Sequence, residues 1–557
     1  MKTTKRALWQ IVSTMGILAT VCGLTISARA QLDPCENDKD CAKLFQPHKL
    51  VERKDIDKLD KTELQHFRDG VKAMMARPET DPLSWRYQAF IHGTYKNDDI
   101  QPGQNCCQHS SWFFLSWHRM EIYYFERIVR ALSGDDDFAV PYWNFTDPAA
   151  AKRAAPASFR DPTYGGGKPV PNPLYYSLRR TGINEGKPLC KEVVDWSEAF
   201  KKDKFWVPAG MGNASFGGTK KTFLIHGILG PGTGELEDQP HNSVHATVGL
   251  SQRESKLWFL SLYSADGAGL DPLFWPIHVN LDRAWYCWQG KHPGTLPDTN
   301  TSLWATQKFK FFDAEKVSLK GPDGKEEVTW KAKEVCLTGK QVVDIAKQLN
   351  YKYTDCDPFP PITEQEDMAN LSQVADLYET PPEVAWKTMD APVNLGANPV
   401  TVSVDLPADV QERIRRILAG EAKDGSIALE LEGIQMNQPV DTLYEVYLNL
   451  PAQPQLDWQG RYFVGLLNFF GIGHHHHGGA AETVQAASSA RSFDVTEVVR
   501  RLAANNEWRG DKVSVTFVVA QPDPAEDCVM PTAPTVDEHI SFAQLTLGVI
   551  TPAAETH

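Results

Sequence analysis

Apolar residues recur at helical spacing in a few short blocks of the N-terminal two thirds of the chain. The longest runs from Trp112 to Leu132, aromatic along one face and ended by Gly134–Asp137. Trp85–His92, His241–Val248 and Ile277–Trp288 read as further helices. Residues 31–110 are otherwise loop-rich, and residues 148–220, rich in Pro, Gly and Lys, read as long surface loops. From about Phe309 to Tyr353 the pattern turns to strands and turns. Beyond residue 400, β-rich runs at Val400–Leu406, Ser426–Leu431, Leu443–Leu450, Tyr462–Leu467, Val513–Ala520 and Ile540–Thr546 predict a β-sandwich. Between the two regions, residues 357–399 hold Pro358, Pro360, Pro361, Pro381 and Pro382 among acidic residues. The expected division is a mainly α region over 31–358, a linker over 359–399 and a β-rich region over 400–557.

The first thirty residues stand apart. Lys2, Lys5 and Arg6 precede an apolar stretch from Ala7 to about Ile26, and Ala28-Arg29-Ala30 offers a small-residue cleavage site before Gln31. That is the pattern of a secretory signal peptide over 1–30; the alternative is an uncleaved membrane anchor. The expectation is an exported protein, periplasmic or secreted, with no stable membrane anchor. Its removal takes four positive charges and no negative ones, so the net charge moves from −14 to −18. An acidic chain without a basic face speaks against nucleic-acid binding. With 557 residues, 42% of them hydrophobic and 23% charged, the chain is an ordinary globular protein of more than one domain. Its ten cysteines become nine once Cys22 is removed, and an exported chain should pair most of them. Nine is odd, so one is free or chemically diverted.

Sixteen histidines change the picture further. His92, His109 and His118 form one group, and His241, His245 and His278 a second. His241 and His245 are spaced i, i+4 and share a helix face. His109 lies nine residues before His118, half a turn out of phase, so it must enter from the loop before the helix. A lone histidine is most often a hydrogen-bonded core or surface residue, but six in two similar aromatic-flanked blocks are not explained that way. Three imidazoles without carboxylate or thiolate suit copper or zinc, and two triads point to a paired site.

These blocks resemble the type-3 copper proteins, and among them the plant-type polyphenol oxidases and tyrosinases. The resemblance rests on His109-Ser-Ser-Trp-Phe-Phe-Leu-Ser-Trp-His118-Arg119, on Glu237-Asp-Gln-Pro-His241-Asn-Ser-Val-His245, and on Asp271-Pro-Leu-Phe-Trp-Pro-Ile-His278-Val-Asn-Leu-Asp282-Arg283-Ala-Trp285. It continues through Phe309–Asp313, Tyr351-Lys-Tyr353, Tyr444–Asn449 and Ser492–Val495, most of the chain beyond residue 30. Two departures stand out. Ile277 replaces the first of two adjacent histidines usual before His278, and no cysteine follows His92.

The resemblance implies a four-helix bundle around a dicopper centre, with a C-terminal β-sandwich that covers the copper entrance until a protease cuts the linker. It implies two copper ions, CuA held by His92, His109 and His118 and CuB by His241, His245 and His278, with O2 as co-substrate and phenols and catechols as substrates. Glu237 and Asn242 would hold a water that deprotonates phenols, so both ortho-hydroxylation of monophenols and oxidation of o-diphenols to o-quinones are expected. Asn280 and Asp282 would order the CuB side, Asp282 pairing with Arg119. Leu262 is the nearest equivalent of a bulky gate over CuA. Cys107-Gln108-His109 matches the arrangement that carries a Cys–His thioether in fungal and molluscan relatives, and a Cys107–His109 bond would settle the odd count. The alternative pairs Cys106 and Cys107 with Cys35 and Cys41. Competing readings are a catechol oxidase without monophenolase activity, a hemocyanin-like oxygen carrier and a di-zinc hydrolase, whose sites usually include bridging carboxylates. His474–His477 is either a solvated loop or a transient copper-loading site.

Overall fold

The aromatic block resolves, in a computed structural model, as a helix from Phe114 to Ser133 closed by Gly134 in the left-handed conformation. The structure describes residues 49–96, 99–165, 168–207, 212–221, 232–320, 326–356, 383–389, 392–422, 425–452, 456–472 and 490–551, of which 383–389 and 550–551 as backbone only. The helix is buried almost all round: Trp117, Met120, Ile122, Phe125, Ile128 and Val129 lie in the core together with Arg119, Glu121 and Glu126. A helix hidden on every side is a central element, and the others pack around it. They are Lys61–Met75, capped by Asp60 and Glu63, Trp85–His92, capped by Ser84, Ser243–Val248, and Phe274–Lys291. Gly70 allows the first to cross close: a Cβ there would meet Val129 Cγ1 at 2.6 Å. The last begins three residues before the predicted Ile277, with Pro276 in its first turn, where the missing N–H costs nothing.

The stretch 148–220 departs from its reading as surface loop. Arg153, Phe159, Leu174, Arg179, Arg180, Leu189 and Phe205 are all buried. Its Pro, Gly and Lys content forecasts irregular backbone correctly but not exposure. The arginines go inside because each finds a carboxylate: Arg179 Nη2 lies 2.6 Å from Asp271, and Arg180 pairs with Asp441.

The C-terminal region has its own core. Among the described residues there are two four-stranded sheets. One runs Arg491–Asp494, Ser426–Glu432, Gln544–Thr551, Glu383–Met389; the other runs Phe463–Leu467, Tyr444–Leu448, Lys512–Val519, Val400–Asp405. Every pairing in them is antiparallel. Alternate residues of both sheets, such as Ile427, Leu429 and Leu431 against Val513, Val515 and Phe517, share one hydrophobic cluster. Helices Ala408–Leu418 and Thr496–Ala504 add Ile414, Ile417, Val499 and Leu502 to it.

The expected linker over 359–399 is too long. Glu383–Met389 pairs with Leu545–Thr551, and Val393–Leu395 with Ile540–Phe542, so β-structure starts well before residue 400. Pro381 and Pro382 stand before the first of these strands, where proline is tolerated, and their presence disguises the strand. Residues 1–48, 357–382 and the tetrad His474–His477 lie outside the described residues, and with them the expected signal peptide, Cys35 and Cys41.

Cys287–Cys356 fastens the Phe274–Lys291 helix to the chain beyond Tyr353, and Cys190–Cys528 joins residues 338 apart in sequence. Cys106 and Cys336 are also disulfide-bonded, whereas Cys107 is buried and outside the disulfides. This rules out the alternative in which Cys106 and Cys107 both form disulfides. No helix of the described residues is long and apolar enough to cross a membrane.

Candidate metal centre

The two histidine groups meet at the centre of the helical region, all six rings at most 3% exposed. His92 ends its helix. The N–H groups of Asn105, Cys106 and Cys107 then bond the carbonyls of Phe90, Ile91 and His92, which the helix terminus leaves open. That docking carries His109 in from the loop, as its phase requires. His118 lies one turn into the Phe114–Ser133 helix. His245 rides on Ser243–Val248, and His241 on the wider turn Glu237–Asn242 that leads into it, whose helical course breaks at Gln239. His278 comes from Phe274–Lys291.

In the second group the ligand atoms of all three histidines lie within 4.8 Å of one another. In the first, the same closeness joins His92, His109 and the Cys107 sulfur. His118 completes that group from its helix, its ring centroid 5.0 Å from His109 and 5.5 Å from His92. Across the groups His118 stacks on His278 at 4.6 Å, and His109 lies 5.7 Å from His241.

Four of the six rings are turned by a partner at the other nitrogen. His92 Nδ1 meets the carbonyl of Ala265 at 3.0 Å, His118 Nδ1 that of Phe114 at 2.7 Å, and His245 Nδ1 that of Leu262 at 2.8 Å. His241 Nδ1 meets Asn242 Oδ1 at 2.9 Å. Such acceptors fix the tautomer that leaves Nε2 as a lone-pair donor. The Nε2 atoms of His92, His109, His118 and His241 are buried without a hydrogen-bond partner. Orphaned buried nitrogens converging this way are costly unless something binds them. Burial, the largest cause in every case, holds all six imidazoles neutral, His92 down at about 3 and His245 at about 4. Neutral imidazoles without a coordinating carboxylate are a donor set for copper.

The stretch Leu262–Ala265 thus serves both groups, giving one carbonyl to each. A Cβ on Gly93 would lie 2.3 Å from the Ala265 oxygen, so the residue after His92 must be glycine for this approach. Leu262, the expected gate, is fully buried and contributes its backbone.

Asp282 pairs with Arg119, as expected, and takes three more partners that sequence reasoning missed: Arg53 at 3.0 Å, Tyr351 at 2.7 Å and Tyr353 at 2.6 Å. Burial works against its charge, but Arg119 and Arg53 more than offset that and hold the carboxyl below its usual range. Arg53 also reaches Glu126 at 2.8 Å, and Arg119 lies 3.5 Å above the Trp285 ring. Asn280 bonds Thr146 and accepts from Arg283. Neither Asn280 nor Asp282 is among the acceptors that turn the rings; what Asp282 orders is the helix that carries His278. Two residues past His278, Asn280 points some 200° away around the helix, and Asp282 sits a full turn beyond. They join helices instead of orienting imidazoles.

Glu237 is fully buried and accepts the Ser110 N–H at 2.8 and 3.0 Å, tying the second group to the residue after His109. Burial is the main reason its carboxyl rises to about 8. The Asn242 side-chain oxygen is spent on His241. Over the second group lies Phe470, from the C-terminal region. Its ring stacks on His245 at 4.7 Å, 27° from parallel, and packs against Ala265. Arg491 Nη2 holds the Phe470 carbonyl at 2.7 Å, and Asn468 bonds Asp238 at 3.0 Å. No pattern in the sequence marks Phe470, because it lies outside any regular element.

Residues 82–291 match the common central domain of tyrosinase, and residues 387–530 a domain of unknown function, DUF7868. The chain is 27% identical over 502 residues to the tyrosinase HcTyr1 of Hahella sp. (strain CCB-MM4), covering 84% of this chain and 94% of that one. It is 28% identical to a chloroplastic polyphenol oxidase of Malus domestica over 74% and 68% of the two chains. The latent apple tyrosinase shares the fold at TM-score 0.57 and 20% identity, over 92% of this chain and 99% of that one. A recombinant latent aurone synthase does so at 0.60 and 20%, over 93% of each. The tyrosinase match encloses both histidine groups. Together with the two histidine groups, these similarities fit a member of the tyrosinase and polyphenol oxidase family of type-3 copper enzymes, whose members oxidise phenols at a pair of copper ions.

Proposed function

We propose that the protein oxidises o-diphenols to o-quinones, hydroxylates monophenols at the ortho position, and is made latent. The observation that carries this reading is the facing pair of buried, neutral histidine groups with one aromatic residue laid over the second. His92, His109 and His118 would hold one copper ion, and His241, His245 and His278 the other. When bound, the pair supplies O2 binding and two-electron oxidation of the phenol.

The chain's own residues position and desolvate. Carbonyls of Ala265, Phe114 and Leu262 and the amide oxygen of Asn242 keep Nδ1 protonated and Nε2 directed inward. Phe114 and Phe274 pack on the rings, at 4.6 Å from His118 and 4.2 Å from His278, and exclude water. Glu237 accepts the proton that a monophenol must lose. Its carboxylate keeps lone pairs beyond those engaged by Ser110, and burial raises it to about 8 in the metal-free chain. Copper ions held by the six histidines would lower it again by their charge, and a carboxylate whose pKa lies near neutrality is an effective general base.

Cys107 lies within 4.8 Å of its His92 and His109 neighbours, which supports a covalent Cys107–His109 thioether that would fix the His109 ring. Peptide mass spectrometry tests it: the expected result is a single peptide spanning Cys107 and His109 that is two hydrogens lighter than its sequence mass, and alkylation of Cys107 after reduction would contradict it. Latency rests on Phe470, which occupies the face of His245 where a phenol ring would stack. The connector within 357–382 is the proposed site of an activating cut, and export accounts for the disulfides. Oxygen uptake with a catechol and with tyramine, by the intact protein and by the catalytic region once the β-rich region has been removed from it, tests the reading. Uptake with both substrates after removal is expected; uptake with catechol alone would remove the monophenolase part.

A further inference from the structure

The C-terminal region does not merely rest on the helical region. Residues 526–530 leave their own core and join the other one. Val529 and Met530 are buried in the hydrophobic cluster of the helical region, with Cys528 packed against it. Cys190 N–H donates to the Val529 carbonyl at 3.2 Å, and Val529 N–H to the Pro188 carbonyl at 2.7 Å. Ion pairs flank this bridge: Arg153 with Glu526, and Lys187 with Asp527 at 2.7 Å. At its centre is the Cys190–Cys528 disulfide. Cys190 is fully buried and Cys528 half-buried, next to the exposed stretch 521–525.

A cut in 357–382 leaves this bond intact. We propose that the Cys190–Cys528 disulfide is a clasp that keeps the cover on the catalytic region after the connector is cut, so that uncovering requires both the cut and reduction of this bond. The proposal depends on the latency proposed for this site. Its physical basis is effective concentration. Two fragments joined by one short covalent bond meet at roughly millimolar concentration, which strengthens their association about 10²–10⁴-fold without any new contact. Phe470 therefore returns to His245 each time it leaves. Cleavage alone makes two chains but no free site. The reducing step is ordinary exchange: a dithiol attacks through its thiolate, gives two electrons and two protons, and closes to a cyclic disulfide while Cys190 and Cys528 become thiols. Cys528 is the less buried of the two residues and adjoins the exposed stretch 521–525, so a dithiol approaches the bond from its side. Reduction without a cut leaves the connector to do the same holding.

The test uses the full-length, copper-loaded protein with a specific protease site placed at residues 370–375. Four samples are compared by oxygen uptake with a catechol and by size exclusion: intact, cut, cut then treated with dithiol and desalted, and cut Cys190→Ala/Cys528→Ala. The clasp predicts that the cut wild type keeps the uptake of the intact protein and elutes as one species. The reduced sample and the double variant should separate into two species and rise at least about tenfold in uptake. Cut wild type that is already as active as the reduced sample, or fragments that stay together after reduction, would overturn the clasp. Fragments that separate only after reduction but with uptake unchanged would uphold the clasp and overturn the latent reading instead. The dithiol arm needs no variant, so poor folding of the double variant leaves the test intact.

Discussion

Single atoms around the two histidine groups set what the site can do. Asn242 Oδ1 is the side-chain acceptor that turns His241, where three other rings use backbone carbonyls. Asn242→Leu should therefore weaken copper at the second position about 10–100-fold, the usual cost of losing such a partner. Copper titration followed by mass spectrometry would read it, and unchanged affinity would show that packing alone orients His241. Glu237→Gln separates the two proposed activities. It should cut monophenol hydroxylation by about 10²–10⁴-fold while leaving catechol oxidation within a few-fold. A base works only when deprotonated, so monophenol activity should fall as pH drops through the Glu237 pKa, and that limb should vanish in the variant. Most of the histidine grouping is legible in the sequence, because imidazole spacing on helices is a local signal: i, i+4 places His241 and His245 together, and the phase of His109 puts it in the loop. Phe470 and Arg53 are not. Each reaches its partners through the fold from a distant segment, and nothing in neighbouring residues announces that.

The helices that carry the ligands are locked by one buried charge cluster. Asp282 of Phe274–Lys291 receives Arg119 of Phe114–Ser133, Arg53, Tyr351 and Tyr353. Such a cluster adds little net stability when complete but costs much when broken. Asp282→Asn leaves two buried guanidinium groups short of an anion and should destabilise the protein by about 3–5 kcal/mol, read as a lower denaturation midpoint. The acid dependence has a fixed sign. Asp282 and Glu126 are both held below their usual pKa, so their contribution is complete above the unfolded value, near 4, and is lost as pH falls through the lower folded values. A variant as stable as the wild type at pH 7 would refute the cluster's role. At this scale the sequence speaks well where one period dominates. The central helix is forecast within two residues of each end, and the C-terminal strands by their alternation. It misleads where composition stands in for geometry. Proline hides the strand at Glu383–Met389, and polar character hides how deeply 148–220 is buried.

Across the whole molecule the β-rich region is a cover that reaches the metal centre. Phe470 stacks on His245, Asn468 bonds Asp238, and Lys202 joins Asp494 at 3.2 Å in a half-buried ion pair between the two regions. No local pattern could forecast this arrangement, since each contact joins residues more than two hundred positions apart. On the latent reading proposed above, this cover would hold a copper pair back from phenols, and Phe470 is where that reading is most exposed to test. The decisive measurement is oxygen uptake with a catechol by the intact, copper-loaded protein and by Phe470→Ala, with copper content determined for both. Two copper ions per chain are expected in each, with slow uptake by the intact protein. The variant should be at least about tenfold faster, equivalent to some 1.4 kcal/mol of cover removed. Two copper ions per chain with no oxygen consumed by either protein would contradict a covered phenol oxidase.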